Sequence, residues 1–150
     1  MNLEEKINEE LKSAIKSGNR TRIETLRSLR ASIIEFNKSG AGRQMNEDEE
    51  IKLLKSAAKR RKDAIEMYEK GGRQELADKE REELAIISEF LPEQLTEDKL
   101  KIIVLKAIED LDAKGMQDMG KIMGTVMKIV KGQADGNMVR QIVQAELSKL

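Results

Sequence analysis

The sequence contains no cysteine, no histidine and no tryptophan, and it has a single proline. Without cysteine no disulfide framework is available, and without cysteine or histidine the two commonest side-chain ligands of transition metals are missing. The absence of histidine also removes the usual general base of nucleophile–base pairs. An all-β protein would need many turn-forming prolines, so that class is disfavoured. We expect no metal site, no cofactor and no self-contained catalytic centre.

Long apolar runs are also absent. No stretch approaches the roughly 18 apolar residues of a membrane span. Residues 1–12 mix acidic, amide and apolar side chains and lack the apolar core of a secretory signal. We therefore expect a cytoplasmic protein with no membrane partner.

The residues that are abundant favour helices. Charged residues make up 37% of the chain and hydrophobic residues 39%, and lysine, glutamate, leucine, alanine and arginine dominate. All five are good helix formers. Because aromatic residues are only 2% of the chain, the core must be aliphatic, which suits the packing of helix on helix. The composition predicts an all-α protein.

Four helices are predicted in the first part of the chain, where capping boxes at Asn2 and Asn46 open the first and third. We predict helices up to Gly18 and over residues 20–38, 47–70 and 74–90, with a loop of small residues at 39–42. Together they form an N-terminal four-helix subdomain over residues 1–93. The predicted apolar faces of the first two helices are Leu3, Ile7, Leu11, Ala14 and Ile15, and Ile23, Leu26, Ile33 and Phe36.

Pro92 marks the clearest boundary, because proline cannot continue a helix. Beyond it, Thr96, Asp118 and Asp135 are predicted to cap three further helices, and Gly115 is predicted to end the first of these. They form a three-helix tail subdomain over residues 94–150.

The charges are clustered although the net charge is zero. Residues 52–62 contain only basic charged side chains, and basic groups also dominate 20–43 and 114–140. Such clusters can present basic faces to nucleic acid, or they can be solvated helix faces paired with acids one turn away. Both interpretations stay open, and Arg60, Arg61 and Lys62 become candidate RNA contacts.

The segment 118–136 is the most informative. Gly120 and Gly124 lie one turn apart inside a predicted helix, where each costs about 1 kcal/mol relative to alanine. Close approach of another backbone or of a ligand would compensate, so we expect Gly124→Leu to disturb packing. Five of the eight methionines lie nearby and would either fill gaps or form an adaptable binding surface. They are Met116, Met119, Met123, Met127 and Met138.

Two further patterns carry less weight. Ser13 and Lys16 have the S-x-x-K spacing of some serine hydrolases, but the companion motifs are missing and we attribute the match to chance. The backbone amides at the start of the last helix suit a phosphate, although Asp135 would already occupy that position.

The order and spacing of several segments resemble a known family. Residues 120–127 (GKIMGTVM) and 131–136 (KGQADG), followed by an amphipathic helix, resemble the tail domain shared by the GatB subunit of tRNA-dependent amidotransferases and the stand-alone YqeY-like proteins. The upstream segments 25–30, 60–63, 68–71 and 89–95 resemble the stand-alone members. The resemblance covers nearly the whole chain and implies two helical subdomains joined near Pro92.

The resemblance also implies a function. In the amidotransferase the similar tail helps to hold tRNA, and the corresponding candidate contacts here are Lys121, Gly124, Lys128, Lys131 and Gly132. The kinase-like cradle domain and the Ser-Ser-Lys amidase centre are missing, so glutamine-dependent carbon–nitrogen ligase activity is not expected of this chain alone.

The hypothesis is an accessory protein that binds tRNA or another structured RNA, with no DNA partner. The alternative is a protein-interaction module that docks on the aminoacyl-tRNA amidation or aminoacylation machinery. A free amidase is a third, disfavoured interpretation.

Overall fold

Helices supply the regular secondary structure of the computed structural model, which describes residues 1–39 and 42–150, and no strand occurs in those two ranges. The α-helices are α1 (Leu3–Ser17), α2 (Arg20–Lys38), α3 (Glu47–Lys70), α4 (Gln74–Ser88), α5 (Glu97–Asp110), α6 (Met119–Val130) and α7 (Gly136–Leu147). A 3₁₀ turn, Met116–Asp118, precedes α6. The all-α prediction is confirmed. Part of the predicted 39–42 loop, residues 40 and 41, lies outside the described residues.

The helix starts follow from side-chain capping, as the sequence predicted. The side chains of Asn2 and Asn46 each accept a hydrogen bond from the backbone N–H three residues later. The glutamate at that later position accepts a hydrogen bond from the backbone N–H of the asparagine, which completes a capping box. Thr96 caps α5 by accepting the N–H of Lys99, and Asp135 caps α7. Gly18 ends α1 with φ of 72°, a left-handed conformation that favours glycine.

In the second half one prediction was wrong and another was confirmed only in part. Helix α5 ends at Asp110, well before Gly115, because Leu111 forms the cap and Asp112 turns the chain with φ of 50°. Asp118 occupies the N-cap position of α6, as predicted, but its side chain makes no capping hydrogen bond. Its carboxylate instead accepts the backbone N–H of Lys114 at 2.8 Å, which closes the turn before the helix.

The described chain divides into an N-terminal unit, Met1–Leu91, and a C-terminal unit, Pro92–Leu150. In the N-terminal unit α1 packs on α2, and α3 packs on α4. The core is aliphatic and includes Ile7, Leu26, Leu29, Leu54 and Ile87. Leu29 was missed by the sequence prediction, and Ile15, which was predicted to be buried, is 52% exposed because Ala14 takes the core-facing position one residue earlier.

In the C-terminal unit α5, α6 and α7 pack pairwise around a second aliphatic core. Its fully buried members include Leu100, Val104, Ile122, Val126 and Val143. Across the described ranges no helix has the length and apolar character needed to cross a membrane.

Candidate nucleic-acid interface

Helix α6 has one buried side and one open side. Ile122, Val126 and Val130 recur every four residues and are fully buried against α5 and α7. This spacing fixes the rotation of the helix about its axis, since side chains at i and i+4 lie on the same face. Everything on the opposite face of α6 must therefore point outward.

The outward side of α6 and the residue that follows it bring together four of the five contacts predicted in the tail. At about 100° per residue, Gly120, Lys121, Gly124 and Lys128 fall within ~100° of arc. All four are exposed, and so is Lys131, which follows the last turn. We call these five residues the α6 basic surface.

The three lysines of the α6 basic surface form no ion pair with the described residues, although the charge of Lys121 also helps to lower the pKa of Asp112. Neither Lys121 nor Lys128 nor Lys131 has a carboxylate within ion-pair distance among the residues that the structure describes. The nearby carboxylate of Asp112 is bonded to Lys114 at 2.8 Å, and that ammonium holds the pKa of Asp112 below its ordinary value. Ion pairs between these lysines and acids one turn away are therefore not observed among the described residues.

The two α6 glycines do not serve internal packing. A Cβ atom placed on Gly120 or on Gly124 would meet nothing within 4 Å apart from its own helix and chain neighbours. The expectation of close approach by another part of the chain was wrong at the Cβ positions, which removes the basis on which Gly124→Leu was expected to disturb packing. The pair instead leaves bare helix backbone beside Lys121 and Lys128.

Lys131 occupies a costly backbone position. It caps α6 with φ of 36°, in the left-handed region where glycine or asparagine is preferred. A lysine at such a position costs roughly 1–2 kcal/mol of backbone energy. The conformation directs the chain out of the helix while keeping an ammonium group at its end.

Gly132 has a structural role. Its φ is 81°, and its carbonyl oxygen accepts a hydrogen bond from Nε2 of Gln94 at 3.0 Å. The neighbouring carbonyl of Gln133 accepts the N–H of Leu95 at 2.7 Å. These bonds fix the loop after α6 to the start of the C-terminal unit, so Gly132 sets the position of Lys131.

Most of the nearby methionines fill gaps. Met119, Met123 and Met127 are half-buried and pack against the core of the C-terminal unit. The Met127 methyl group lies 3.9 Å from where a Cβ of Gly136 would be. Met116 and Met138 are exposed by 44% and 40%. The methionines therefore supply little continuous binding surface.

The start of α7 is already occupied by its own cap. The carboxylate of Asp135 accepts the N–H of Asn137 at 3.1 Å. A bound phosphate would have to compete with this negative charge for the same amides. The observed cap therefore favours structural use of the α7 N-terminus.

Arg60, Arg61 and Lys62 are consecutive on α3, so the helix separates them by about 100° each. Arg60 and Lys62 are exposed on different sides. Arg61 is half-buried among the core-facing positions, where its charge favours the ionised form of Glu83 on α4. The structure does not bring these three candidates together. It aligns Lys62 with Lys59, and the lysine periodicity that could have revealed this was overlooked in the sequence.

A family model and one relative resemble this chain along most of its length, and a second relative resembles part of it. A family model described as "Yqey-like protein" matches residues 4–147. "Altered inheritance of mitochondria protein 41, mitochondrial" of Pyrenophora tritici-repentis is 30% identical over 139 residues, which are 90% of this chain and 75% of that protein. A glutamyl-tRNA(Gln) amidotransferase subunit of Thermococcus gammatolerans is 38% identical over 61 residues, which are 41% of this chain and 10% of that protein.

Proposed function

The chain belongs to the YqeY-like family, as its motifs predicted, and on that premise we propose that it is an accessory protein that binds structured RNA of the tRNA type. In this proposal the protein holds RNA and performs no chemistry on it. The α6 basic surface of the C-terminal unit is the contact.

One observation carries the proposal. The outward side of α6 combines three lysines that have no ion-pair partner in the described ranges with two glycines that face open space. A helix of this kind lets a phosphodiester backbone approach closely beside the lysines, because Gly120 and Gly124 carry no side chain. Each phosphate contact releases counterions, which supplies affinity without sequence specificity.

The scarcity of aromatic residues limits how RNA is bound. Stacking of single-stranded bases needs exposed aromatic side chains, and the tyrosine and both phenylalanines are half-buried in the N-terminal unit. Two modes of recognition remain, which are contacts to phosphates and recognition of the shape of a helical RNA. Structured RNA such as tRNA fits this mode better than an unpaired strand.

The name of the Thermococcus relative, a glutamyl-tRNA(Gln) amidotransferase subunit, supports a tRNA ligand. The other relative carries "mitochondrial" in its name. Because one relative is named as mitochondrial, the cytoplasmic location expected from the sequence belongs to the proposal. Fluorescence microscopy of the tagged full chain tests this location.

The alternative of a protein-docking module has less support. It relied on the methionines of the C-terminal unit, and Met119, Met123 and Met127 are turned towards the core. Recovery of a protein partner from extract after ribonuclease treatment would favour this alternative over RNA binding.

A gel-shift titration with total tRNA at low salt tests the proposal. We expect the tRNA to migrate as a shifted complex with the protein, and we expect that complex to dissociate as the salt concentration is raised. If tens of micromolar protein produce no shift at low salt, the proposed function is wrong.

A further inference from the structure

Helix α3 of the N-terminal unit carries a regular row of lysines. Lys52, Lys55, Lys59 and Lys62 follow one another at intervals of three, four and three residues. At about 100° and 1.5 Å per residue, they fall within ~80° of arc and extend over ~15 Å of helix. We call these four residues the α3 lysine stripe.

The α3 lysine stripe lies on a flank of its helix, with its midpoint roughly 120° around the helix axis from the buried side. Leu54, Ala57 and Ala58 are buried against the core of the N-terminal unit, which fixes the rotation of α3. Lys52, Lys59 and Lys62 are exposed as a consequence, and Lys55 is half-buried at the edge.

Three lysines of the stripe form no ion pair with the described residues, although the charge of Lys52 helps to lower the pKa of Glu49. Within residues 1–39 and 42–150, Lys52, Lys59 and Lys62 have no carboxylate at ion-pair distance. Glu66, one turn beyond Lys62, is already paired with Lys70 at 2.9 Å. The exposed carboxylate of Asp63 lies beside Lys59 but forms no ion pair with it within 4 Å. Three ammonium groups in a line of this length form a strong local positive field.

The geometry selects the class of ligand. Insertion of α3 into a membrane would need its apolar face to be free, and that face is buried in the protein core. A single strand needs aromatic stacking partners, which the stripe lacks. A straight row of charges on a rigid helix matches the regularly spaced phosphates of a helical RNA.

We infer that the α3 lysine stripe is a second RNA-binding surface, in which Lys52, Lys59 and Lys62 contact the phosphate backbone of double-helical RNA. The inference rests on the proposed function for the identity of the ligand. It adds a binding site in the N-terminal unit, and that site needs none of the residues of the α6 basic surface.

Four proteins test the inference, with a labelled RNA duplex of mixed sequence as the probe. They are the wild type, the stripe variant Lys52→Gln/Lys59→Gln/Lys62→Gln, the tail variant Lys121→Gln/Lys128→Gln/Lys131→Gln, and the control Lys6→Gln/Lys12→Gln/Lys16→Gln on exposed positions of α1. Each variant loses the same charge, and glutamine preserves helix propensity. A Lys→Arg version of the stripe keeps the charge and should bind as the wild type does.

Affinity is measured against salt concentration. We expect the stripe variant to reduce the slope of log affinity against log salt by about 2–3, and the α1 control to leave it unchanged. A wild-type slope for the stripe variant beside a reduced slope for the tail variant would overturn the second surface and leave the proposed function standing. A reduction of the slope in the α1 control equal to that in the stripe variant would also overturn the second surface. No binding by any of the four proteins, with the same outcome for tRNA, would overturn both.

Discussion

Gly120 and Gly124 lie one turn apart on the outward side of α6, and a side chain on either would extend into open space. Both cost helix stability, and nothing within the described chain compensates for them. We interpret this cost as the consequence of keeping the helix surface bare for a phosphate backbone. Functional sites are where a sequence is expected to break local rules of stability.

The first prediction concerns Gly124→Ala. We expect the substitution to stabilise the protein by about 1 kcal/mol, because alanine is the better helix former and its Cβ meets no other atom. The same methyl group should weaken tRNA binding by blocking close approach. Thermal melts and tRNA titrations measure the two effects. A variant that gains stability without losing affinity would show that the bare backbone is not used.

The second prediction concerns the double variant Lys121→Glu/Lys131→Glu. Both side chains are exposed, so we expect the fold to be retained and tRNA affinity to fall about tenfold or more at low salt. The matched control is Lys99→Glu/Lys106→Glu, on exposed positions of α5 in the same unit. Equal losses in both variants would mean that total charge, and not the α6 basic surface, governs binding.

The third prediction separates Arg61 from Lys62. Arg61 is half-buried and its charge favours ionised Glu83, so Arg61→Gln should lower the melting temperature without changing RNA affinity. Lys62→Gln should leave the melting temperature unchanged and weaken RNA binding. The slope of log affinity against log salt should fall by about 1. Chemical denaturation and RNA titration of both variants check this. A loss of affinity with Arg61→Gln at unchanged stability would contradict the assignment.

The fourth prediction is a dependence of stability on pH at Glu83. Burial, and then repulsion by Glu80, raise the pKa of Glu83 above its ordinary value of 4.5. The folded protein therefore binds this proton more tightly than the unfolded chain, so stability falls as pH rises through the interval above 4.5. Glu83→Gln should remove this loss of stability. The gain in the free energy of unfolding at neutral pH should stay below about 1 kcal/mol, because the carboxylate is only partly buried.

The gain from Glu83→Gln should disappear once the pH is low enough to protonate the carboxylate in both states. Denaturation curves of wild type and variant at neutral and acidic pH measure the difference. A gain that is the same at both pH values would show that the carboxylate charge is not its cause.

The sequence predicted the helices well because their signals are local. The capping boxes at Asn2 and Asn46 and the left-handed glycine at Gly18 act within one turn, and each was recognisable in isolation. The end of α5 was missed because it depends on Asp112, which adopts a positive φ that aspartate takes up only occasionally.

The candidate site was only partly predictable. The lysines of α6 were identified from a family resemblance, but the surroundings of Gly120 and Gly124 depend on how α5, α6 and α7 pack in three dimensions. The α3 lysine stripe differs, because its spacing was visible in the sequence. It was hidden by treating Arg60, Arg61 and Lys62 as one cluster, although consecutive helical residues point in different directions.

Crosslinking of the protein to RNA in cells, followed by sequencing of the bound RNA, tests the central claim most directly. Parallel cells expressing Lys121→Glu/Lys131→Glu supply the background. We predict enrichment of structured RNA, with tRNA prominent, in the wild-type sample over the variant. RNA recovery that is indistinguishable between the two samples would contradict binding through the α6 basic surface.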